Sequence, residues 1–313
     1  MGDTGSIVVG VDGSNHTVAA ARWAAAVAAR SGDTLHLVHV MSSVDQALMT
    51  IITPEREDAG SAPRELGHEV LDRTADAVRA DFPELSIVRT LSQRPIEDLL
   101  TELSRQARLV VLACADVSPL GALVVGSTTV TVARHSHCPV VAWRGDASAP
   151  NPAPIVVGID ETREPHACLM TALGLADQLG VPLIVVHALS PRRAPGDINI
   201  PILVDYEELE HEALQRLSSA VAPVAGHWPR VDVRCAVGTG NASRVILDHA
   251  DGAQFVVVGN RGRGSLASAI LGSTGLSLLH HSSVPVIVCP TPAASDEAHS
   301  VQGVSPNTTA ARQ

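Results

Sequence analysis

The chain has 313 residues, 45% hydrophobic and only 2% aromatic, a length that suggests two domains whose cores are built from Val, Leu, Ile and Ala. Its formal net charge is -11, which argues against a nucleic-acid or anionic-membrane surface, and the scarcity of aromatics removes most stacking platforms for single strands. All 22 basic residues are arginine, which excludes a Walker-type loop, with its obligatory lysine, and lysine Schiff-base chemistry.

Ser6 to Ser14 reads as a buried strand running into a turn. Asn15 to Ser31 is Ala-rich and helical, with Ser14 as N-cap and apolar residues nearly all round it. Thr34 to Val40 is a strand. Met41 to Pro63 lacks periodicity, holds Pro54 and Gly60, and is expected as a loop. Arg64 to Ala80 is a helix and Leu85 to Leu91 a strand. Ile96 to Gln106 is a helix with Pro95 at or near its first position. Leu109 to Cys114 is a strand, Gly126 to His135 a helix, and Pro139 to Trp143 a closing strand. Asp146 to Pro154 is an Ala/Pro/Asn linker.

The order then repeats. Ile155 to Thr162 restates the first strand and its turn. His166 to Leu179 is a helix, Pro182 to Ala188 a strand, and Ser190 to Pro201 a loop. Tyr206 to Ala222 is a helix with Leu209, Ala213, Leu217 and Val221 on one face. Strand Val231 to Ala236, helix Ala242 to Ala250, strand Gln254 to Gly259, a helix to His281 and strand Val284 to Cys289 follow. Gly126-Ser127-Thr128 answers Gly272-Ser273-Thr274, and Leu37 to Val40 answers Val185 to Ala188. The run from His135 to Ala142 answers that from Ser282 to Val288. Matched landmarks in one order mean a tandem duplication. The expected domains are residues 1–147 and 148–291, with a disordered polar tail over 292–313.

Alternating strands and helices imply an α/β fold: two doubly wound domains, each a parallel sheet with helices on both faces. The continuous apolar runs fit strands covered on both sides. Ligands of such sheets sit beyond the strands' C-terminal ends. Strands one and four carry the unusual turns there, so they should be neighbours, in the order 3-2-1-4-5.

The chemistry concentrates after the second half's fourth strand, at Gly259-Asn260-Arg261-Gly262-Arg263-Gly264, and at Gly272-Ser273-Thr274. Glycines let backbone approach a ligand, and a helix N-terminus offers unpaired N–H groups that favour phosphate. Hydroxyls of Ser273 and Thr274 and the charges of Arg261 and Arg263 would add to this. The stretch is expected to cradle phosphate.

Other candidates read more plainly. The five cysteines are scattered without Cys-x-x-Cys, which fits neither a disulfide framework nor a zinc site but does fit a reducing cytoplasm. His36 and His39 face opposite sides of a strand and do not make a metal site. His135, His137, His280 and His281 lie at helix C-termini, where the dipole favours them. Asp12 and Asp160 either cap the first helix of each half or face a ligand. No apolar run reaches membrane-spanning length.

Gly259-x2-Gly262-x9-Gly272-Ser273 resembles the nucleotide-binding signature of universal stress proteins. The opening Val9 to Ser14 and the closing His280-His281-x-x-Val284-Pro285-Val286 fit as well, and the resemblance covers nearly the whole chain twice. It implies ATP, with Mg2+, as ligand. It places Asp160 against the nucleoside and Gly158, Ile159 and Ala188 around the adenine. Gly259, Gly262, Gly264, Gly272, Ser273 and Thr274 would take the phosphates. In the first half the matching residues are Gly10, Val11, Asp12, Val40, Gly126, Ser127 and Thr128. There Ala113, Asp116 and Ser118 stand where Gly259, Gly262 and Gly264 stand, so a weakened site is expected. The resemblance also implies association through the fifth strands, Val140 to Trp143 and Val286 to Cys289, between the two halves of one chain as a pseudo-dimer and in a homodimer of chains through fifth-strand edges. A cytoplasmic nucleotide sensor is the favoured function. A slow ATPase or adenylyl-transfer enzyme and a scaffold with vestigial sites are the alternatives. No catalytic residue is identifiable beside the cradle.

Overall fold

The computed structural model describes residues 5–41, 61–114, 125–145, 148–160, 166–189, 206–260 and 271–290. The first half runs β1 (Ser6–Gly10), α1 (Asn15–Ser31), β2 (Thr34–Val40), α2 (Ser61–Asp81), β3 (Ile87–Ser92), α3 (Ile96–Leu103), β4 (Ala107–Ala113), α4 (Ser127–His135) and β5 (Val140–Trp143). The second repeats it as β6 (Ile155–Gly158), α5 (His166–Leu179), β7 (Leu183–Leu189), α6 (Tyr206–Ala225), β8 (Val233–Thr239), α7 (Ala242–Ala250), β9 (Phe255–Gly259), α8 (Ser273–His281) and β10 (Val286–Cys289).

All strands join one 10-stranded sheet in the order β3-β2-β1-β4-β5-β10-β9-β6-β7-β8. Each half therefore has the expected order 3-2-1-4-5. Pairing is parallel within each half. At the centre β5 and β10 run antiparallel, with Val141 opposite Ile287. Alternate strand residues feed two cores. Ile7, Val9, Leu35, Val157, Phe255 and Ile287 pack under α1, α2, α5 and α6. Val8, Val110, Val156, Val256, Val286 and Val288 pack under α3, α4, α7 and α8. Both cores cross the join between halves. Trp23 of α1 meets Phe255 of β9 edge to face, with ring centroids 6.1 Å apart.

Several boundaries differ from the sequence reading, each for a local reason. The α2 helix starts at Ser61 and so includes Pro63, which a first helical turn tolerates because its N–H groups lack acceptors anyway. The α6 helix runs through Pro223 to Ala225, three residues past the expected end at Ala222, although the proline gives up one i→i−4 bond there. Conversely, α3 stops at Leu103, and i→i−3 bonds from Arg105 to Glu102 and from Gln106 to Leu103 close its end. β8 begins two residues late, at Val233, after a turn closed by Val231 N–H donating to Trp228 O at 3.1 Å. Most of the loop expected over Met41 to Pro63, the loop over Ser190 to Pro201, and the C-terminal tail lie outside the described residues.

The fifth strands pair with each other within one chain, as expected of the two halves. β5 lies between β4 and β10, and β10 between β5 and β9. A homodimer through fifth-strand edges therefore has no free edge to use, and that expectation is corrected. The outer strands are β3 and β8.

A buried arginine clamps the join. Arg144 follows β5 and is 3% exposed. Its Nη1 donates to Ser282 O at 2.8 Å and its Nη2 to Leu279 O. These carbonyls lie at the C-terminal end of α8, where acceptors are left over and the helix dipole is negative. Arg144→Ala should lower the unfolding free energy by about 1–3 kcal/mol, because buried carbonyls lose their donor. Guanidinium denaturation of the full chain measures it, and an unchanged midpoint would remove Arg144 from the join.

Candidate functional site

In the second half, backbone order continues beyond β6. Ile159 N–H donates to Val186 O at 3.0 Å, as if the strand ran one residue further. The Ile159 carbonyl accepts from His187 Nδ1 at 3.1 Å. Asp160 follows, partly exposed, and Ala188 is buried beside His187 on β7. The first half repeats the device. Val11 N–H donates to Val38 O at 2.9 Å, and His39 Nδ1 donates to Val11 O at 2.7 Å. A strand-two histidine thus fixes the carbonyl after strand one in both halves. Sequence reading missed this role, although His39 and His187 were already matched by the repeat.

The glycines ending the first strands have a packing cause. A Cβ on Gly158 would stand 2.4 Å from Ile246 Cδ1 of α7 and 3.3 Å from Val258. A Cβ on Gly10 would stand 2.8 Å from Leu112. Any ligand contact by Gly158 or Gly10 would use main-chain atoms.

The turn residues come together at the end of β9. Asn260 N–H donates to Cys289 O, and Gly272 N–H donates to Asn260 O, both at 2.8 Å. Asn260 is 9% exposed. These bonds place the start of α8 directly beyond Gly259: a Cβ on Gly275 would lie 3.7 Å from Gly259 O. Gly272 is the N-cap of α8 and offers no side-chain cap. Ser273 is exposed and Thr274 partly so. Gly262, Gly264, Arg261 and Arg263 lie outside the described residues.

The first half has the same frame and a different charge. Gly126 caps α4 without a side chain, and Ser127 is exposed. Thr128 Oγ1, however, donates to Glu97 Oε1 of α3 at 2.7 Å. Glu97 and Asp98 fill the first turn of α3. At the offset that pairs Gly126 with Gly272, Ser243 and Arg244 stand in their places on α7. Ser243 Oγ donates to the N-cap Asn241 at 2.6 Å instead. Asp116 and Ser118 lie outside the described residues, so Glu97 is a separate departure that the sequence reading did not find.

Asp12 is engaged locally. Its Oδ1 accepts from Ser14 N–H at 2.8 Å and from Thr17 Oγ1 at 3.0 Å. Partial burial pushes its pKa up, but the Ser14 and Thr17 hydrogen bonds together outweigh that and hold it below the ordinary value. The N-cap of α1 is Ser14, whose Oγ accepts from Thr17 N–H, and Asp12 supports that cap from two residues upstream. Among the described residues, no three His, Cys, Asp or Glu gather as a metal site. No described helix is long and apolar enough to cross a membrane.

The chemistry available is therefore anion capture by main-chain N–H groups and hydroxyls at α8, beside a pinned loop that offers main-chain donors and acceptors. The sequence pattern of the Universal stress protein family matches residues 4–144 and again 153–290. A universal stress protein of Mycobacterium tuberculosis is 33% identical over 290 residues, covering 90% of this chain and 96% of that one. One from Mycolicibacterium smegmatis is 29% identical over 294 residues, covering 90% and 96%. The crystal structure of a universal stress protein from Archaeoglobus fulgidus shares the fold, with TM-score 0.65 and 17% identity over 91% of this chain and 96% of that one. With its fold repeated twice and its sequence matched in both halves, this chain belongs to the universal stress protein family.

Proposed function

We propose that the C-terminal half binds ATP and that the chain is a cytoplasmic, nucleotide-dependent regulator of a stress response, with little or no turnover. The observation that carries this reading is the side-chain-free N-cap of α8, held at the end of β9 by the Gly272–Asn260 and Asn260–Cys289 bonds. A helix start in that position presents unpaired N–H groups and the positive end of a dipole. Gly259, Gly272, Ser273 and Thr274 would hold phosphate oxygens, with Gly262 and Gly264 continuing the turn. Asp160 would accept from ribose hydroxyls. Gly158, Ile159 and Ala188 would border the adenine through main-chain atoms. Mg2+ would bind mainly to phosphate oxygens and water, in keeping with its reluctance to dehydrate.

On this reading residues 148–291 form the nucleotide domain and residues 1–147 a degenerate copy. Glu97 supports the asymmetry. Its carboxylate already takes the Thr128 hydroxyl, and a phosphate at the same helix start would face a like charge. Two unit charges about 4 Å apart repel by roughly 1–4 kcal/mol between water and near-surface effective dielectrics. Gly10, Val11, Asp12, Val40, Gly126, Ser127 and Thr128 would then keep the frame of a site without its affinity. A slow ATPase remains the second reading. An ADP-release assay on the full chain separates it from sensing.

Two outcomes are expected from calorimetric titration with Mg-ATP. The full chain should bind one nucleotide rather than two, and tight binding of two would sink the asymmetry. Ser273→Asp, which adds a helix-compatible negative charge at the α8 start, should weaken ATP tenfold or more, about 1.4 kcal/mol. Unchanged affinity would place the phosphates elsewhere.

A further inference from the structure

The two histidine pins stand where a rung of the sheet is missing. In a parallel ladder, a residue that donates to one carbonyl of its neighbour strand accepts from the amide two residues further along that strand. Val11 N–H donates to Val38 O, so Val11 O should accept from Val40 N–H. Ile159 N–H donates to Val186 O, so Ile159 O should accept from Ala188 N–H. Among the described residues neither bond is formed. Each carbonyl is taken instead by the imidazole directly across the ladder, His39 Nδ1 at 2.7 Å and His187 Nδ1 at 3.1 Å. The acceptor is a carbonyl in both cases, so Nδ1 carries a proton.

The missing rung has a direction. On the outer side of each second strand the ladder goes on, with Met41 N–H donating to Ser92 O at 3.0 Å and Gly240 N–H donating to Leu189 O at 2.8 Å. Main-chain groups alternate sides along a strand, so Val40 and Ala188 turn theirs the other way, toward β1 and β6. That is where the chain leaves the sheet for Asp12 and Asp160. Packing makes room for the ring as well. A Cβ on Gly67 of α2 would stand 3.3 Å from His39 Cδ2 and 2.6 Å from Leu91. His187 is 4% exposed and so is held firmly in place.

We propose that His39 and His187 are positioning residues that hold strands one and two of each half open by one rung, and that in the second half the Ala188 N–H thereby donates to a ring nitrogen of the nucleotide base. The imidazole satisfies the carbonyl that Ala188 would otherwise reach, which keeps the last rung from closing. An amide already held out of the ladder breaks no protein hydrogen bond when a ligand arrives, a gain from preorganisation. The base contact rests on the nucleotide reading of this site; the open rung does not.

Two measurements on the full chain test this. Amide exchange followed by NMR without ligand reads the rung. Ala188 N–H should exchange faster than Leu189 N–H, and should become protected in His187→Leu, where Ile159 O has lost the imidazole and takes the amide. Calorimetric titration reads the base contact. His187→Leu should weaken Mg-ATP about tenfold, the worth of one hydrogen bond. Inorganic tripolyphosphate, which has no base, should bind the variant as it binds wild type. His187→Asn puts an amide nitrogen where Nδ1 stood, and should restore both ATP affinity and fast exchange. Slow exchange at Ala188 in the unliganded wild type would overturn the proposal. So would unchanged ATP affinity in His187→Leu, or an equal loss of ATP and tripolyphosphate. A wild-type chain that binds neither would overturn the nucleotide reading and the base contact together, whereas the exchange rates decide the open rung by themselves.

Discussion

The antiparallel pairing of β5 with β10 is the contact on which the rest of the molecule depends. Both strands are four residues long and buried throughout. Left alone, each half would present an apolar strand edge with unpaired main-chain groups, a template for aggregation. Pairing the two removes both edges at once and carries both cores across the join. The edges that remain are different in kind. β3 presents Arg89, paired with Asp72, and β8 presents Arg234, paired with Asp232. Charged side chains on outer strands discourage further pairing, so the sheet stops at ten strands.

That join also sets the surroundings of the candidate site. The α8 helix starts at the proposed phosphate position and ends against Arg144, which comes from the first half. The first half thus grips one end of the helix whose other end would meet the ligand. A cation at the C-terminal end and an anion at the N-terminal end both complement the helix dipole. The degenerate half keeps a structural role on this account, whatever it binds.

Much of this was readable in the sequence, because the informative signals were local and repeated. Apolar runs such as Ile155-Val156-Val157 gave buried strands, and the doubling of landmarks gave two equivalent sheets. The strand order followed from which strand ends carried unusual turns. What was not readable came from side chains meeting across elements. Glu97 reaches Thr128 only because α3 packs beside α4, and nothing within either helix signals that pairing. Arg144 falls between the closing strand and the linker in the sequence, and only the antiparallel join turns it toward α8.

The glycines show how one residue type can serve opposite purposes within a single site. Gly10 and Gly158 stand at the ends of first strands, where ligands of such sheets bind. Both instead make room for an aliphatic side chain, Leu112 in one half and Ile246 in the other. Their presence therefore says nothing about binding, and both halves keep them. Gly126 is also kept, with nothing among the described residues within 4 Å of where a Cβ would be, yet the nearby carboxylate of Glu97 adds negative charge at that helix start. Glycine spacing alone cannot separate a working phosphate turn from a relic. On the proposed reading the charge on the neighbouring helix would separate them: Glu97 and Asp98 on α3 against Ser243 and Arg244 on α7. Packing glycines and pinning histidines hold the frame constant, so on the proposed reading the two halves would be set apart by side chains alone: those on the adjacent helix, together with Ala113, Asp116 and Ser118.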